Sequence, residues 1–252
     1  MPYLPGRGGD CRNRVTIMTK KPEMLVTPMR ALELVGKTKL TAEKPRRRTK
    51  TREALLLSGR ELMASRAKDG FTIDDVVQSA GVAKGSFYNH FPDKEALTGE
   101  IYKTIRAKEE SEIEAVNQLV QEPAVRVARA MAVYARFALT SPNEARIITQ
   151  GQVDALSIQS STNAGLVRDL AEGLRTGKLV MPSVEAAALL VIGQTAVLLS
   201  RLQLVDGRDA AASLAQQCIA LTLLALGLEH RAAHLTSAQA VEDIVQKGSL
   251  LS

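Results

Sequence analysis

Between Arg52 and Lys68 the apolar residues Leu55, Leu56, Leu62, Met63 and Ala67 recur at helical spacing, and Gly70 follows as a stop signal, which predicts a first helix. Thr72-Ile73-Asp74-Asp75 has the Thr-x-x-acid form of an N-terminal cap and opens a short second helix carrying Ile73, Val76 and Val77 inward. That helix must end near Ala80, because Gly81 suits a tight or left-handed backbone and Val82 can pin the turn into a core. A third helix follows over Ala83 to Asn89, with Phe87 and Phe91 spaced to face inward together. Asp93 caps a long fourth helix running toward Val120, and Glu122-Pro123 separates it from a fifth with Pro at its first position. Ser141-Pro142-Asn143-Glu144 reads as a capping box for a sixth helix reaching about Gln159, and a seventh covers Leu166 to Thr176. Two long apolar helices follow, Ser183 to Val205 and Asp209 to Leu228, joined by a turn at Asp206-Gly207. Ser237 to Gln246 can form one more short helix, and the chain frays from Gly248.

The fold class is therefore all-α. Two short helices across a tight turn make residues 46–97 a helix-turn-helix domain of three helices, and residues 98–252 a larger helical domain. Residues 1–45 show no sustained apolar period and read as a disordered leader. A DNA-binding arm and an overlong reading frame, with later starts at Met18, Met24 or Met29, both account for it.

Charge adds an asymmetry. The net charge is +6, but residues 1–52 hold 14 Lys and Arg against 4 Asp and Glu, leaving −4 for the rest. A basic end beside an acidic body fits a protein that meets phosphate with one part only. The run Lys44-Pro45-Arg46-Arg47-Arg48-Thr49-Lys50-Thr51-Arg52 abuts the first helix directly, which makes Arg46, Arg47 and Arg48 candidate phosphate contacts.

Other classes find little support. The longest apolar stretch, Ala186 to Ser200, is interrupted by Gln194 and Thr195 and is shorter than the roughly 20 residues of a membrane span. No secretory signal is recognisable, so a cytoplasmic location is expected. Cys11 and Cys218 make no disulfide framework, and His230 and His234 stand four apart without a third ligand, so no metal or cofactor is expected. Without a nucleophile elbow, phosphate loop or dinucleotide-binding glycine pattern, an enzyme is not expected. A helical adaptor would explain the apolar C-terminal helices but not the basic end.

The most specific stretch is Gly81 to Phe91 with Pro92 to Leu97. Lys84, Ser86, Tyr88 and Asn89 can face outward from a short helix, and all are hydrogen-bond donors. Lys reaches guanine or phosphate, Asn pairs with the adenine edge, and Ser, Tyr and His90 donate to phosphate oxygens. Gly85 costs roughly 1 kcal/mol of helix propensity relative to Ala, but holds no side chain between backbone and DNA.

From Lys50 to Leu97 these residues resemble the TetR (tetracycline-repressor) family of transcriptional regulators. The resemblance rests on Phe71-Thr72, Ile73 with Val76, Ala80-Gly81-Val82, Gly85, Tyr88, His90-Phe91 and Lys94 to Leu97. It implies that Thr72 caps the second helix near a phosphate, that Lys84, Ser86 and Asn89 face the groove, and that Tyr88, His90 and Lys94 hold the DNA backbone. Ala83 departs from the Ser or Thr frequent there, losing a side-chain cap, and Asn89 stands where the family is often aromatic.

Beyond Leu97 the resemblance implies fold only: a ligand-binding and dimerisation domain whose helices 183–205 and 209–228 form a four-helix bundle with a second copy. Their nearly all-round apolar character agrees, since such a helix must be covered on several sides. The implied function is repression from a palindromic double-stranded DNA operator, released by an unidentified small-molecule effector. Tyr134, Phe137, Arg146, Gln150 and Gln152 are the candidate effector contacts, combining aromatic walls with polar groups.

Overall fold

The computed structural model describes residues 44–66, 70–150 and 160–248, with side chains from Arg48 onward. The described residues lie in one compact unit and are helical throughout their regular structure.

Helix α1 (Lys44–Arg66) begins at Lys44 and not at Arg52, so the basic run is part of the helix. Pro45 sits in its first turn, where a missing N–H breaks no hydrogen bond, and no breaker follows it. Helix α2 (Ile73–Ala80) carries the full capping box: the Thr72 hydroxyl accepts from the Asp75 N–H at 3.2 Å, and the Asp75 carboxylate accepts from the Thr72 N–H at 2.7 Å. The Thr72 hydroxyl also donates to the Asp75 carboxylate at 2.7 Å, and this bond, then that from the Thr72 N–H, then Arg66, hold the Asp75 carboxyl below its ordinary range. Gly81 closes α2 with φ of 64°, the left-handed region that L side chains rarely adopt. Helix α3 (Lys84–Tyr88) starts at Ala83 with no side-chain cap bond, and Asp93 caps α4 (Lys94–Asn117) by accepting from the Ala96 N–H at 2.7 Å.

Leu55, Met63, Phe71, Val76, Phe87, Phe91 and Leu97 are buried together where these helices meet. Inside that core the Ser58 hydroxyl donates to the Val76 carbonyl at 3.0 Å, tying α1 to α2. A Cβ added at Gly59 would lie 2.9 Å from Ile101 Cδ1, so a glycine lets α1 cross α4 closely. The domain boundary expected after Leu97 falls in the first turn of α4, a helix that both parts of the protein share.

The second part is built around α5 (Pro123–Thr140), on which α4, α6 (Pro142–Thr149), α7 (Ala164–Arg175), α8 (Val184–Leu202), α9 (Arg208–Ala225) and α10 (His230–Val241) all pack. Ala124, Ala128, Ala132, Ala135 and Ala138 of α5 are buried, and their small side chains let so many helices approach it.

Three expectations are corrected. The capping box at Ser141 does not form, because Ser141 also ends α5 by donating its N–H to the Phe137 carbonyl at 2.9 Å and keeps φ of −136° with ψ of 58°. Its expected partner Glu144 reaches Arg60 of α1 instead, at 2.9 Å. Helix α6 ends at Thr149, and the expected continuation to Gln159 lies outside the described residues. The last helix starts at His230, not Ser237, capped by the Glu229 carboxylate accepting from the Ala232 N–H. Glu is not among the usual N-cap residues, so its pattern carries little signal. That helix closes in a wide π turn, Glu242–Gln246.

Helix α8 is long and apolar enough by composition to cross a membrane, although the run Ala186 to Ser200 alone is not. One of its faces packs into the protein, with Ala188, Val191, Leu198 and Leu202 buried. Gln194 of α8 donates to the Cys218 carbonyl at 2.9 Å and accepts from the Thr222 hydroxyl at 2.8 Å, which sets the register of α8 on α9.

Glu109 of α4 is buried, and its Oε2 has no hydrogen-bond partner. Burial above all, then the nearby Glu112, raises its carboxyl to about 7, with Glu144 adding and Lys108 and Arg136 opposing. The folded protein therefore holds a proton that the unfolded chain releases near 4.5, and stability falls as pH rises from 4.5 through 7. Glu109→Gln should leave stability near pH 4.5 little changed and raise it at pH 8 by up to about 3 kcal/mol. Thermal unfolding of both proteins at the two pH values measures this, and parallel pH profiles would refute it.

Candidate nucleic-acid interface and ligand cavity

The inner side of α3 is anchored by Phe87, which packs edge-on against Tyr88 at 5.4 Å between ring centres and tilted against Phe91 at 5.8 Å. Its outer side carries Lys84, Gly85, Tyr88 and Asn89 exposed, with Ser86 and His90 half-buried at its margins. Tyr88 is 52% exposed, unusual for a ring beside a core. A Cβ at Gly85 would meet no protein atom within 4 Å. Internal packing therefore gives no reason for glycine there.

The remaining candidates surround this face with positive charge. Arg48 of α1 approaches the Asn89 carbonyl at 3.5 Å, and the Arg52 guanidinium lies 5.2 Å from the centre of the Phe91 ring while pairing with Glu100. Arg46 and Arg47 precede Arg48 in α1, and their side chains lie outside the described residues. Burial, then Arg48 and Arg52, lowers the His90 pKa, so its ring is neutral at pH 7. Lys84 pairs with Asp74 at 2.8 Å, a hydrogen bond that raises its pKa and keeps it a cation. Both partners are solvent-exposed, so exchanging Asp74 for another anion costs little. Lys94 donates to the Phe71 carbonyl at 3.2 Å, joining the start of α4 to the entrance of α2, where Thr72 is engaged in its capping box. Arg52 is the cation at this face that reading the sequence left out of the candidate set, although its place in the basic run pointed to it.

A cavity of about 900 Å³ lies between α4, α5, α7 and α8, with the end of α6 and the 3-10 turn Ser161–Asn163 completing its wall. Tyr134 lines it and donates its hydroxyl to Glu110 Oε1 at 3.0 Å. The other expected effector contacts among the described residues are not brought there. Phe137 is in the core, Arg146 donates to the Ala64 carbonyl of α1 at 3.3 Å, Gln150 is exposed beyond the end of α6, and Gln152 lies outside the described residues. The cavity's polar residues come instead from α4 (Arg106, Glu110, Asn117), from α5 (Arg126) and from α7 (Asp169, Glu172). The α4 set stands at helical spacing on one face, a signal the sequence carries but does not distinguish from an ordinary solvated stripe. Burial raises the pKa of Glu110 and of Asp169, against the pull of Arg106 and Arg126 respectively.

Residues 55–101, which run from α1 into α4, match the model of the bacterial regulatory proteins of the tetR family. Those residues form a DNA-binding domain of the tetR type. The chain is 41% identical over 54 residues to the HTH-type transcriptional repressor DhaR of Mycobacterium sp. (strain GP1), a match that covers 21% of this chain and 27% of DhaR. The match thus spans about a quarter of that relative's length. Among solved structures, RolR without ligand is 24% identical with a TM-score of 0.58, covering 75% of this chain and 96% of RolR. A tetR-family regulator from Shewanella sp. PV-4 is 18% identical with a TM-score of 0.60, covering 71% and 99%. At such identities these structures establish the fold alone.

Proposed function

We propose that this protein is a dimeric transcriptional regulator of the tetR family that reads a palindromic operator with α3 and leaves it when a small molecule fills the cavity. The observation that carries the DNA reading is the outer face of α3, where donors surround a glycine that nothing inside the protein requires. Asn89, Lys84 and Ser86 read bases, and Tyr88, His90, Lys94, Thr72 and the arginines of α1 hold phosphates. DhaR, whose match covers this domain, is a repressor, and repression is the direction proposed.

The dimer reading rests on α8 and α9. Leu189 and Val197 of α8 and Leu221 of α9 are 55%, 70% and 60% exposed, and Ala186 and Gly193 stand at helical spacing with the first two, so α8 keeps an open apolar stripe. A stripe of that kind is a liability unless covered. Two-fold pairing there sets the recognition helices one duplex turn apart, about 34 to 36 Å.

Helix α6 suits the coupling role. Its Ile148 and Thr149 line the cavity, while Glu144 holds Arg60 and Arg146 holds the Ala64 carbonyl, both on α1. A ligand that favours one position of α6 shifts the population of DNA-binding geometries by its difference in affinity for the two. RolR, which shares the fold, has been crystallised with resorcinol.

The test is fluorescence anisotropy with duplexes tiled across the upstream region of the gene, at two salt concentrations. One palindromic segment should bind at least about a thousandfold more tightly than the rest. Equal, weak binding to every segment, repeated with a library of selected random duplexes, would refute the reading. On the selected operator, Asn89→Ala should change discrimination at particular base pairs by about 1 to 3 kcal/mol, whereas Tyr88→Phe should weaken binding to all sequences alike. An unaltered base preference in Asn89→Ala removes that residue from the reading set.

A further inference from the structure

The cavity is rich in charged residues, yet no cation in its described wall is left without a carboxylate. Arg126 donates to Asp169 at 2.9 Å, to Glu172, and to the carbonyls of Val120 and Gln121 at 3.1 and 3.2 Å. Arg106 stands 3.8 Å from Glu110 and donates to Asn163 Oδ1 at 2.9 Å and to the Thr162 hydroxyl at 3.3 Å. Arg168 lies 3.8 Å from Asp169 and points largely into solvent. The carboxylates are committed in turn: Glu110 to Tyr134 and Arg106, and Asp169 and Glu172 to Arg126. Glu114 is exposed.

Apart from the Nε of Arg106, which has no hydrogen-bond partner, what remains to meet a guest is uncharged. Apolar wall comes from Ile113, Val127, Met131, Ile148, Leu166 and Leu199. The hydroxyls of Tyr134, Thr149 and Thr195 keep acceptor capacity, and Asn117 Oδ1 has no hydrogen-bond partner. Arg106, Glu110, Ile113 and Asn117 lie along one face of α4, so the wall extends roughly 16 Å at the helical rise.

We infer that the cavity takes an elongated, uncharged amphiphile bearing hydroxyl groups, and discriminates against the carboxylate or phosphate of the same length. This rests on the cavity being the effector site. An anion would surrender its water to a site whose arginines are already neutralised, and burial without a new partner is costly. An alcohol gives up less hydration and finds hydroxyl and amide oxygens in place to accept its proton.

The experiment uses the full chain at pH 8, with the uncharged dye Nile red as reporter and 1-decanol and decanoate, both below micelle-forming concentrations, as competitors. Nile red should bind the wild type and be lost in Ala130→Trp and Ala196→Trp, two substitutions in the cavity wall whose folding is checked by thermal melting. 1-Decanol should displace it at a concentration at least about tenfold lower than decanoate. Glu110→Gln, which leaves Arg106 without its carboxylate, should narrow that gap by improving decanoate. Decanoate competing as well as 1-decanol in the wild type would overturn the ligand class and leave the cavity as the effector site. Nile red binding that survives both tryptophan substitutions, or no binding at all, would overturn the effector-site reading and this inference with it.

Discussion

Val197→Glu, alone or with Leu221→Glu, should convert the protein from dimer to monomer without unfolding it, and lower operator affinity by about 10² to 10⁴-fold. Both side chains lie on the outer face of their helices, 70% and 60% exposed, so a monomer tolerates the carboxylates in water. In the proposed bundle each new charge would be buried against an apolar partner and, through two-fold symmetry, beside its own copy. The affinity loss arises because two linked recognition helices bind cooperatively, and a monomer has one. Sedimentation velocity gives the mass and anisotropy gives the affinity. A variant that stays dimeric would place the interface elsewhere, and a monomer with full operator affinity would refute two-fold reading of the DNA.

Arg126→Ala should destabilise the protein by about 3 to 5 kcal/mol, since removing one member of a buried ion pair leaves the other uncompensated. For a chain of this size that lowers the melting temperature by roughly 10 °C. Arg126 joins α5 to α7 through Asp169 and Glu172 and to the α4–α5 connection through two carbonyls. Burial already raises the Asp169 carboxyl, and losing Arg126 raises it further. The folded variant thus binds a proton more readily than its unfolded chain, so its deficit grows as pH rises above the ordinary carboxyl range and shrinks in acid. Arg126→Ala with Asp169→Asn should recover part of the loss, the two carbonyl bonds staying unmade. Calorimetry at pH 5 and 8 decides it, and a loss under about 1 kcal/mol would mean that the network is solvated and contributes little.

The helix-turn-helix was legible because its signals are local. Thr72 and Asp75 form one capping box three residues apart, Gly81 supplies its own left-handed turn, and Asp93 caps α4 from the adjacent position. The outward face of α3 follows from helical spacing once Phe87 and Phe91 are taken as the inner side. Where the local pattern misled, a second demand fell on the same residue. Ser141 had to end α5 as well as begin α6, and Glu144 was taken by Arg60, which is distant in the chain.

The effector contacts were the least legible. Of the four expected contacts among the described residues, Tyr134 lines the cavity and Phe137, Arg146 and Gln150 do not, because an aromatic or polar residue in a helix does not announce which neighbour it will face. By itself the sequence determined the all-helical class, the short helix α3 with its outward donors, and the apolar character of α8 and α9, all consequences of periodicity and caps within one or two helical turns. Only the tertiary structure decided which residues enclose the cavity, that Arg126 of α5 is already matched by two carboxylates of α7, and that α6 touches both the cavity and α1. Those facts depend on packing helices far apart in the chain, and no local spacing encodes the pairing of Arg126 with Asp169 or of Arg60 with Glu144.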